Sequence, residues 1–350
     1  MLQRLICLLA LLGFISCVDP ANGGATGDTA LYAYDNAAKV IYRWDDLPGA
    51  FTAGALPAPS TTLSTTLLNA VTPLAWGGLA FDDSRNRLYL VGEGGDVLRL
   101  DRVRNLTGSV SSADAVSFTL DSSQRLTSSK FGQAAVDSAT DTLYVTENGD
   151  NGTRIWMVSG ASSRLNNETV TAQYLQTSGD SGGFGVAAGQ GLVFGSFQNG
   201  NAVGTDSLTG PRLRKGASGA FVPSSVILGD LTGLGKFATL ALDKSNSLLY
   251  VGMSLADDGT VSVPVGVFQT GQLGGVFNQA PHATLGSAKA IPDLRVLAHP
   301  GAKDWLAGLS GSGSALVWVW KSPSGSSPAF LEMTAPSGAE LRGLALDGNP

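Results

Sequence analysis

Short segments with alternating apolar and polar residues follow one another along most of the chain. They are separated by turns rich in Gly, Asp, Asn and Ser. One recurring segment is a small-apolar strand that ends in Asp, as in Gly78–Asp82, Ala134–Asp137, Leu240–Asp243 and Leu344–Asp347. Alternation at a period of two, together with β-branched residues, favours strands bounded by turns. The pattern therefore predicts an all-β fold.

Further strands follow this first strand in a fixed order, and together they form a repeated unit. The predicted second and third strands are Arg87–Val91, Thr142–Val145 and Leu248–Val251, then Asp96–Leu100, Thr153–Val158 and Thr260–Val263. Weaker copies begin at Phe184 and Leu294. The residue at the first turn marks each unit, and these markers are Asp82, Asp137, Gly189, Asp243, His299 and Asp347. They recur at intervals of 48 to 56 residues, enough for a four-stranded sheet with its loops.

The two ends of the chain complement each other. Leu341–Asp347 is a first strand with no strand after it, whereas Ala30–Tyr34 and Lys39–Trp44 resemble second and third strands with none before them. Together they complete one unit and remove an open sheet edge. We therefore predict a six-bladed β-propeller closed by pairing of the N- and C-terminal strands. A β-sandwich is the structural alternative, but it would not explain strands that recur in phase.

Two phrases carry a family resemblance, GLAFDDSRNRLYLVGEGGDVLRLD at 78–101 and AAVDSATDTLYVTENGDNGTRIWMV at 134–158. They resemble six-bladed propellers of the NHL-repeat and gluconolactonase/regucalcin-like type. The resemblance covers nearly the whole predicted domain, although its motifs are degenerate. The Gly-His and Trp-Asp signatures of WD-repeat propellers do not recur here.

The resemblance implies a candidate metal site, because lactonase-like propellers hold Ca²⁺ or a similar ion over the central channel with oxygen ligands. The candidate ligands are Glu93, Glu147, Asn148 and Asp150, with both glutamates expected at the turn between second and third strands. The ligand set of that family does not map onto matching positions. The alternative is that these Gly-, Asp- and Asn-rich segments simply form tight hairpin turns. No other cofactor is expected.

The N-terminus predicts export and a lipid anchor. An apolar run, Leu5–Ile15, is too short for a membrane span and ends in the lipobox-like tetrapeptide Phe14–Cys17. We expect a signal peptide at 1–16, lipidation of Cys17, a tether over 17–28 and the propeller over 29–350. An ordinary secretory signal is the alternative. Val18 after the cysteine favours the outer membrane or cell surface of the bacterial envelope over inner-membrane retention.

Composition excludes several functions. The net charge is -6 and there is no basic block, which argues against nucleic-acid binding. Gly179–Gly183 matches the serine-nucleophile signature of chymotrypsin-like proteases, but both histidines, His282 and His299, follow it in the chain. We interpret the match as coincidence, and we expect His299 to cap a turn.

The starts of the innermost strands give the strongest site signal. Aromatic and cationic residues recur there in one register, and the ring should bring them together at one mouth of the channel. The candidates are Trp76, Lys130, Phe131, Phe184, Lys236, Phe237, Arg295 and Arg342. They could hold a glycan, a small molecule or a loop of an envelope protein. The alternative is that the aromatics wedge between blades and the cations are solvated.

Two functions remain open at this point. The first is a lipid-anchored binding or scaffold module of the cell envelope, favoured because no catalytic set is recognisable. The second is a metal-dependent, lactonase-like hydrolase with its site over the channel.

Overall fold

The computed structural model has a β-propeller arrangement. It describes eleven stretches of the chain, which are 29–150, 152–176, 185–198, 211–217, 223–228, 237–253, 265–273, 281–286, 294–301, 303–310 and 316–349. The predicted signal peptide, the predicted lipidation site Cys17 and the predicted tether therefore lie outside the described residues. No helix in the described part is long and apolar enough to cross a membrane.

The strands of the described residues pair into six sheets, named I to VI. Sheet I contains β1 (Ala30–Asp35), β2 (Val40–Trp44), β3 (Thr61–Leu63) and β25 (Leu341–Asp347). Sheet II contains β4 (Leu74–Asp82), β5 (Arg87–Gly92), β6 (Asp96–Asp101), β7 (Ala115–Leu120) and β11 (Glu168–Val170). Sheet III contains β8 (Lys130–Asp137), β9 (Thr142–Gly149), β10 (Gly152–Ser159) and β12 (Gln173–Gln176). Sheet IV contains β13 (Val186–Gly189), β14 (Leu192–Gln198), β15 (Pro211–Ala217) and β16 (Pro223–Leu228). Sheet V contains β17 (Phe237–Asp243), β18 (Leu248–Met253), β19 (Val265–Gln269) and β20 (Ala283–Leu285). Sheet VI contains β21 (Leu294–Ala298), β22 (Trp305–Ser310), β23 (Leu316–Lys321) and β24 (Ala329–Thr334).

Short helices occur in the connections. Helix α1 (Leu47–Ala53) begins where the Asp46 side chain accepts a hydrogen bond from the Gly49 amide, and it ends at Gly54 with a left-handed φ of 77°. Helix α2 (Thr66–Ala70) begins at Thr65. Turns of 3₁₀ helix lie at Val103–Asn105, Ser122–Gln124 and Ala161–Ser163. The period-two pattern did not predict these helices.

The chain ends pair as the sequence predicts. β25 is antiparallel to β1, with Ala30 opposite Asp347 and Ala33 opposite Leu344. The last strand of the chain is thus the innermost strand of sheet I. Arg104, in the turn after β6 of sheet II, pairs with the end of this strand, with its Nε 2.7 Å from Oδ2 of Asp347.

Apolar cores lie between neighbouring sheets. The described residues form six buried clusters, and each joins two adjacent sheets, including VI to I across the closure. The recurring tyrosines of the second strands, Tyr89, Tyr144 and Tyr250, are fully buried in them. Most of the stabilising burial is therefore between sheets.

The blade count differs from the sequence prediction. Counted as regular blades, the sheets give five rather than six. The repeats are unequal, because the chain after β10 first forms β11, which pairs in parallel with β7 of sheet II, and only then returns as β12 of sheet III. The propeller arrangement is confirmed, whereas six regular blades are not.

Two buried arginines connect successive sheets, and neither was predicted. Arg43 on β2 donates to the carbonyl of Arg104 at 2.9 Å. Arg99 on β6 donates to the carbonyl of Ala161 at 3.1 Å. Each guanidinium reaches the 3₁₀ turn of the next sheet, where carbonyls without helical partners need donors.

Candidate functional site

The innermost strands enclose a narrow channel. Its volume is about 100 Å³, and each of the six strands contributes an alanine to the lining. These alanines are Ala80, Ala135, Ala188, Ala241, Ala298 and Ala345. The small-apolar character of the first strands matches this position, because small side chains allow six strands to converge around one channel.

Gln133 of β8 crosses this channel. Its Nε2 donates to the carbonyl of Leu240 at 2.8 Å, and its Oε1 accepts from the amides of Val186 and Leu240 and from the Thr239 hydroxyl. Thr239 in turn accepts from the Leu297 amide at 3.0 Å. One buried amide thus joins sheets III, IV and V directly, and sheet VI through Thr239.

A second cavity, the mouth cavity, lies at the starts of the innermost strands and has a volume of about 350 Å³. It is lined by five of the eight candidate ligand-binding residues, namely Trp76, Lys130, Phe131, Arg295 and Arg342. They come from four strands, β4, β8, β21 and β25, one each from sheets II, III, VI and I, and these strands are far apart in the sequence. The shared register therefore brings these five residues to one place.

The side chains of the other three candidates lie outside the described part of the chain. Phe184 and Lys236 lie outside the described residues. Phe237 begins β17, and it stays a prediction as a ligand contact. The structure adds Ser128, Gly132 and Gly149 to the lining, for which the sequence carries no signal.

The charged residues of the mouth cavity are partly paired. Lys130 is 2.8 Å from Glu93, and its side chain is 69% exposed. The guanidinium of Arg342 lies 4.3 Å from the ring centroid of Trp76, and its Nε donates to Glu340 at 2.9 Å. The lining contains three cations and one carboxylate, so the field of the cavity favours an anion.

Phe131 matches the packing interpretation more closely than the binding one. It is fully buried in the core between sheets II and III, with its ring 5.3 Å from that of Trp156 in an edge-on contact. The guanidinium of Arg125 lies 5.1 Å from its ring centroid. Phe131 therefore forms the base of the mouth cavity rather than an exposed platform.

The candidate metal ligands do not occupy equivalent positions. Glu93 lies in the turn after β5, whereas Glu147 lies within β9, because this strand runs on to Gly149. Glu93 and Asn148 line the mouth cavity, and Asp150 is exposed. The expectation that both glutamates lie at the same turn is thus wrong, since the second hairpin is longer.

Glu147 is a structural carboxylate. It is fully buried, and it accepts hydrogen bonds from the Leu126 amide at 2.9 Å, the Ser129 hydroxyl at 2.5 Å and the Trp156 ring nitrogen at 2.7 Å. These bonds fix the loop that carries Ser128 to the cavity. With both oxygens satisfied by protein donors, Glu147 is a poor ligand for a cation.

Among the described residues, one group of three possible metal ligands lies close together, and it consists of Asp243, His299 and Asp304. The predicted carboxylates Glu93, Glu147 and Asp150 do not form such a group. His299 Nδ1 accepts the Gly301 amide at 3.0 Å, as expected for a turn cap. A ring nitrogen that accepts this bond leaves the proton of the neutral ring on Nε2, which is unsuited to bind a metal.

Burial dominates the behaviour of His299. Its ring stacks on Tyr250 with centroids 5.5 Å apart, and Nε2 lies 3.6 Å from Asp243. Burial lowers the pKa of His299 to about 4, although Asp243 and Asp304 act in the opposite direction. The ring is therefore neutral at physiological pH.

Comparisons with known proteins agree on the fold. The chain is similar to a protein in the crystal structure of a nidogen/laminin complex, with 13% identity and a TM-score of 0.58 over 92% of this chain and 99% of that one. It is also similar to TolB from Acinetobacter baumannii, with 10% identity and a TM-score of 0.53 over 93% and 67% of the two chains. No protein-family model matches the sequence, and no curated protein matches it. The class is thus a β-propeller, and the NHL-repeat or gluconolactonase-like assignment stays a prediction.

Proposed function

We propose that this protein is a binding module of the bacterial cell envelope, which presents a propeller on a lipid anchor and binds its ligand in the mouth cavity. The observation that carries the proposal is the convergence of five predicted residues on one cavity of about 350 Å³. That volume is in the range of small-molecule sites, which typically join apolar walls to a few polar groups. The propeller neighbours are consistent with a binding or scaffold role.

The blade number belongs to the same proposal. We assign one blade to each of the six sheets, including sheet IV. Support comes from six separately paired sheets and from six cores that connect them in a ring. The inner strands of all six line one channel.

The test of the ligand site is thermal stabilisation. An envelope extract is separated by size into small-molecule and macromolecular pools, and each is added to the protein. A ligand of the folded state raises the melting temperature in proportion to its concentration over Kd. We expect a pool that stabilises the wild type to lose its effect on the double variant Trp76→Ala with Lys130→Ala.

The matched control is Leu165→Ser, which changes an exposed residue outside the mouth cavity. It should respond as the wild type does. If the mouth variant responds fully, or if the control loses the response, the ligand binds elsewhere.

The lipid anchor has a separate test. Cells that express the chain are fed a clickable fatty acid, and label is measured on the protein. We expect Cys17→Ser to abolish label and membrane partitioning, because a thioether-linked lipid requires the thiol. Cys7→Ser, which changes the other cysteine of the chain, should keep both. Label that persists without Cys17 would refute the anchor.

The metal-dependent hydrolase is not proposed. Glu147 is occupied by protein donors, and the candidate carboxylates do not cluster in the described residues. The site described above is better suited to hold an anion than a cation.

A further inference from the structure

We propose that the ligand of the mouth cavity is a small organic carboxylate, with its acid group on Arg342 and its flat apolar part beside Trp76. This inference rests on the function proposed above and specifies its ligand class. Three features carry it, and they concern the free edge of one guanidinium, the charges around it and the walls of the cavity.

Arg342 is fixed on two sides. Its plane is held over the Trp76 ring at 4.3 Å, and its Nε and Nη2 both donate to Oε1 of Glu340. Glu340 therefore occupies the Nε/Nη2 edge. Since a guanidinium has five N–H donors, the Nη1/Nη2 edge still presents a parallel pair.

That remaining edge is accessible. Nη1 makes no hydrogen bond to any described residue, and the Arg342 side chain is 30% exposed. Two parallel N–H groups match the two oxygens of a carboxylate, and prior fixation reduces the entropy lost on binding. The geometry is thus that of a preformed acceptor site for one planar oxyanion.

The charged residues of the cavity also favour an anionic ligand at the free edge of Arg342. Lys130, Arg295 and Arg342 line the cavity together with Glu93, and Glu340 pairs with Arg342, so three cations face two carboxylates. This positive lining contrasts with a net charge of -6 for the whole chain. Because the rest of the molecule is acidic, the mouth cavity is a local site of attraction for anions.

The walls favour an organic rather than an inorganic anion. Trp76 contributes half-buried aromatic surface, and the buried ring of Phe131 lies at the base of the cavity. A volume of about 350 Å³ is near the lower end for small-molecule sites, so the ligand is small. A flat apolar group next to the carboxylate would cover the exposed part of the indole.

The experiment is calorimetric titration of the full-length chain with three probes, which are benzoate, benzamide and inorganic phosphate. Benzamide has the same ring without the charge, and phosphate has the charge without the ring. We expect benzoate to bind at least about tenfold more tightly than either, the ratio expected from one charge-assisted bidentate contact.

Variants locate the site. Arg342→Gln should weaken benzoate binding by about tenfold or more, and Trp76→Leu should weaken it less. Arg102→Gln removes the same charge from a side chain that is 70% exposed and paired with Asp114 outside the cavity. It should leave the affinity within about twofold, because screening weakens a distant surface charge.

The outcomes separate this inference from the function on which it rests. Equal binding of benzoate and benzamide, lost in Trp76→Leu, would overturn the carboxylate and keep the mouth as a ligand site. Phosphate that binds as tightly as benzoate, with no effect of Trp76→Leu, would show that any oxyanion is accepted. Absence of benzoate binding at millimolar concentration would overturn the inference, whereas the extract experiment decides the proposed function independently.

Discussion

The two ends of the central channel are built from the same inner strands, yet their charged side chains differ in solvent exposure. At the turn end, the marker carboxylates Asp82, Asp137, Asp243 and Asp347 are at most 1% exposed. Asp243, for example, accepts from the amides of Ser245 and Asn246. At the mouth end, the side chains of Lys130 and Arg342 are 69% and 30% exposed.

The difference separates structural from functional polarity. Buried carboxylates that cap turns are costly to change, because their donors would lose partners in a dry environment. Exposed cations around a cavity contribute little to stability, since solvent screens them. Stability measurements at the turn end and binding measurements at the mouth end should therefore respond to different substitutions.

Removal of the closing strand should affect both ends most strongly. Deletion of 341–350 takes away β25, its pairing with β1 and part of the cores on both sides of sheet I. The loss exceeds a typical total stability of about 5–15 kcal/mol, so we expect no cooperative unfolding transition in urea. Deletion of 348–350 alone leaves β25 intact and should retain the transition. An unchanged midpoint in the longer deletion would reject the closure.

Gln133→Met should give the next largest effect. Met has a similar length but cannot bond to Val186, Thr239 or Leu240, whose groups would stay buried without this partner. We expect a loss of about 2–4 kcal/mol in the free energy of unfolding, measured by urea denaturation. Gln173→Met on the exposed edge strand β12 is the matched control and should change little. Equal effects in both would show that the amide network contributes nothing.

His299 should make the turn end sensitive to acid. Because its pKa falls to about 4 in the folded state, against an ordinary 6.5, the unfolded state binds the proton first. Stability should decline as the pH falls from 6.5 to 4, by up to about 3 kcal/mol, and should not decline further on account of this residue below 4. The difference between wild type and His299→Gln across this window isolates the effect. Parallel pH profiles would contradict it.

The mouth end should show the smallest effect on stability. Arg342→Gln removes an ion pair with Glu340 and a stack on Trp76, both at the surface. We expect the free energy of unfolding to change by less than about 1 kcal/mol. A loss as large as that of Gln133→Met would mean that Arg342 is a structural residue, and the contrast between the two ends would disappear.

The sequence predicts the parts of the fold that depend on periodicity. The first strands, their Asp turns and the pairing of Leu341–Asp347 with the N-terminal strand follow from local patterns that repeat. The path of β11 does not, because a three-residue strand that pairs with the neighbouring sheet has no periodic signature. The blade count is five, whereas the turn markers in the sequence predict six.

The candidate site was predictable to the extent that register decides it. Trp76, Lys130, Arg295 and Arg342 precede their markers by 6, 7, 4 and 5 residues, a register shared to within three residues, and they do meet in one cavity. Glu147 looked like a metal ligand because the sequence cannot show that Leu126, Ser129 and Trp156 donate to it. Gln133 gave no signal at all, since its partners are more than 50 residues away.

The bonds of Gln133 also bear on the order of events in folding. Its partner Leu240 is 107 residues further along the chain, so the contact closes a very long loop. Such a bond forms only after sheets III, IV and V have assembled, and it should be absent from the folding transition state. Gln133→Met should then leave the folding rate almost unchanged and accelerate unfolding, by about tenfold for each 1.4 kcal/mol lost. Gln133 would thus act mainly on how long the native state persists.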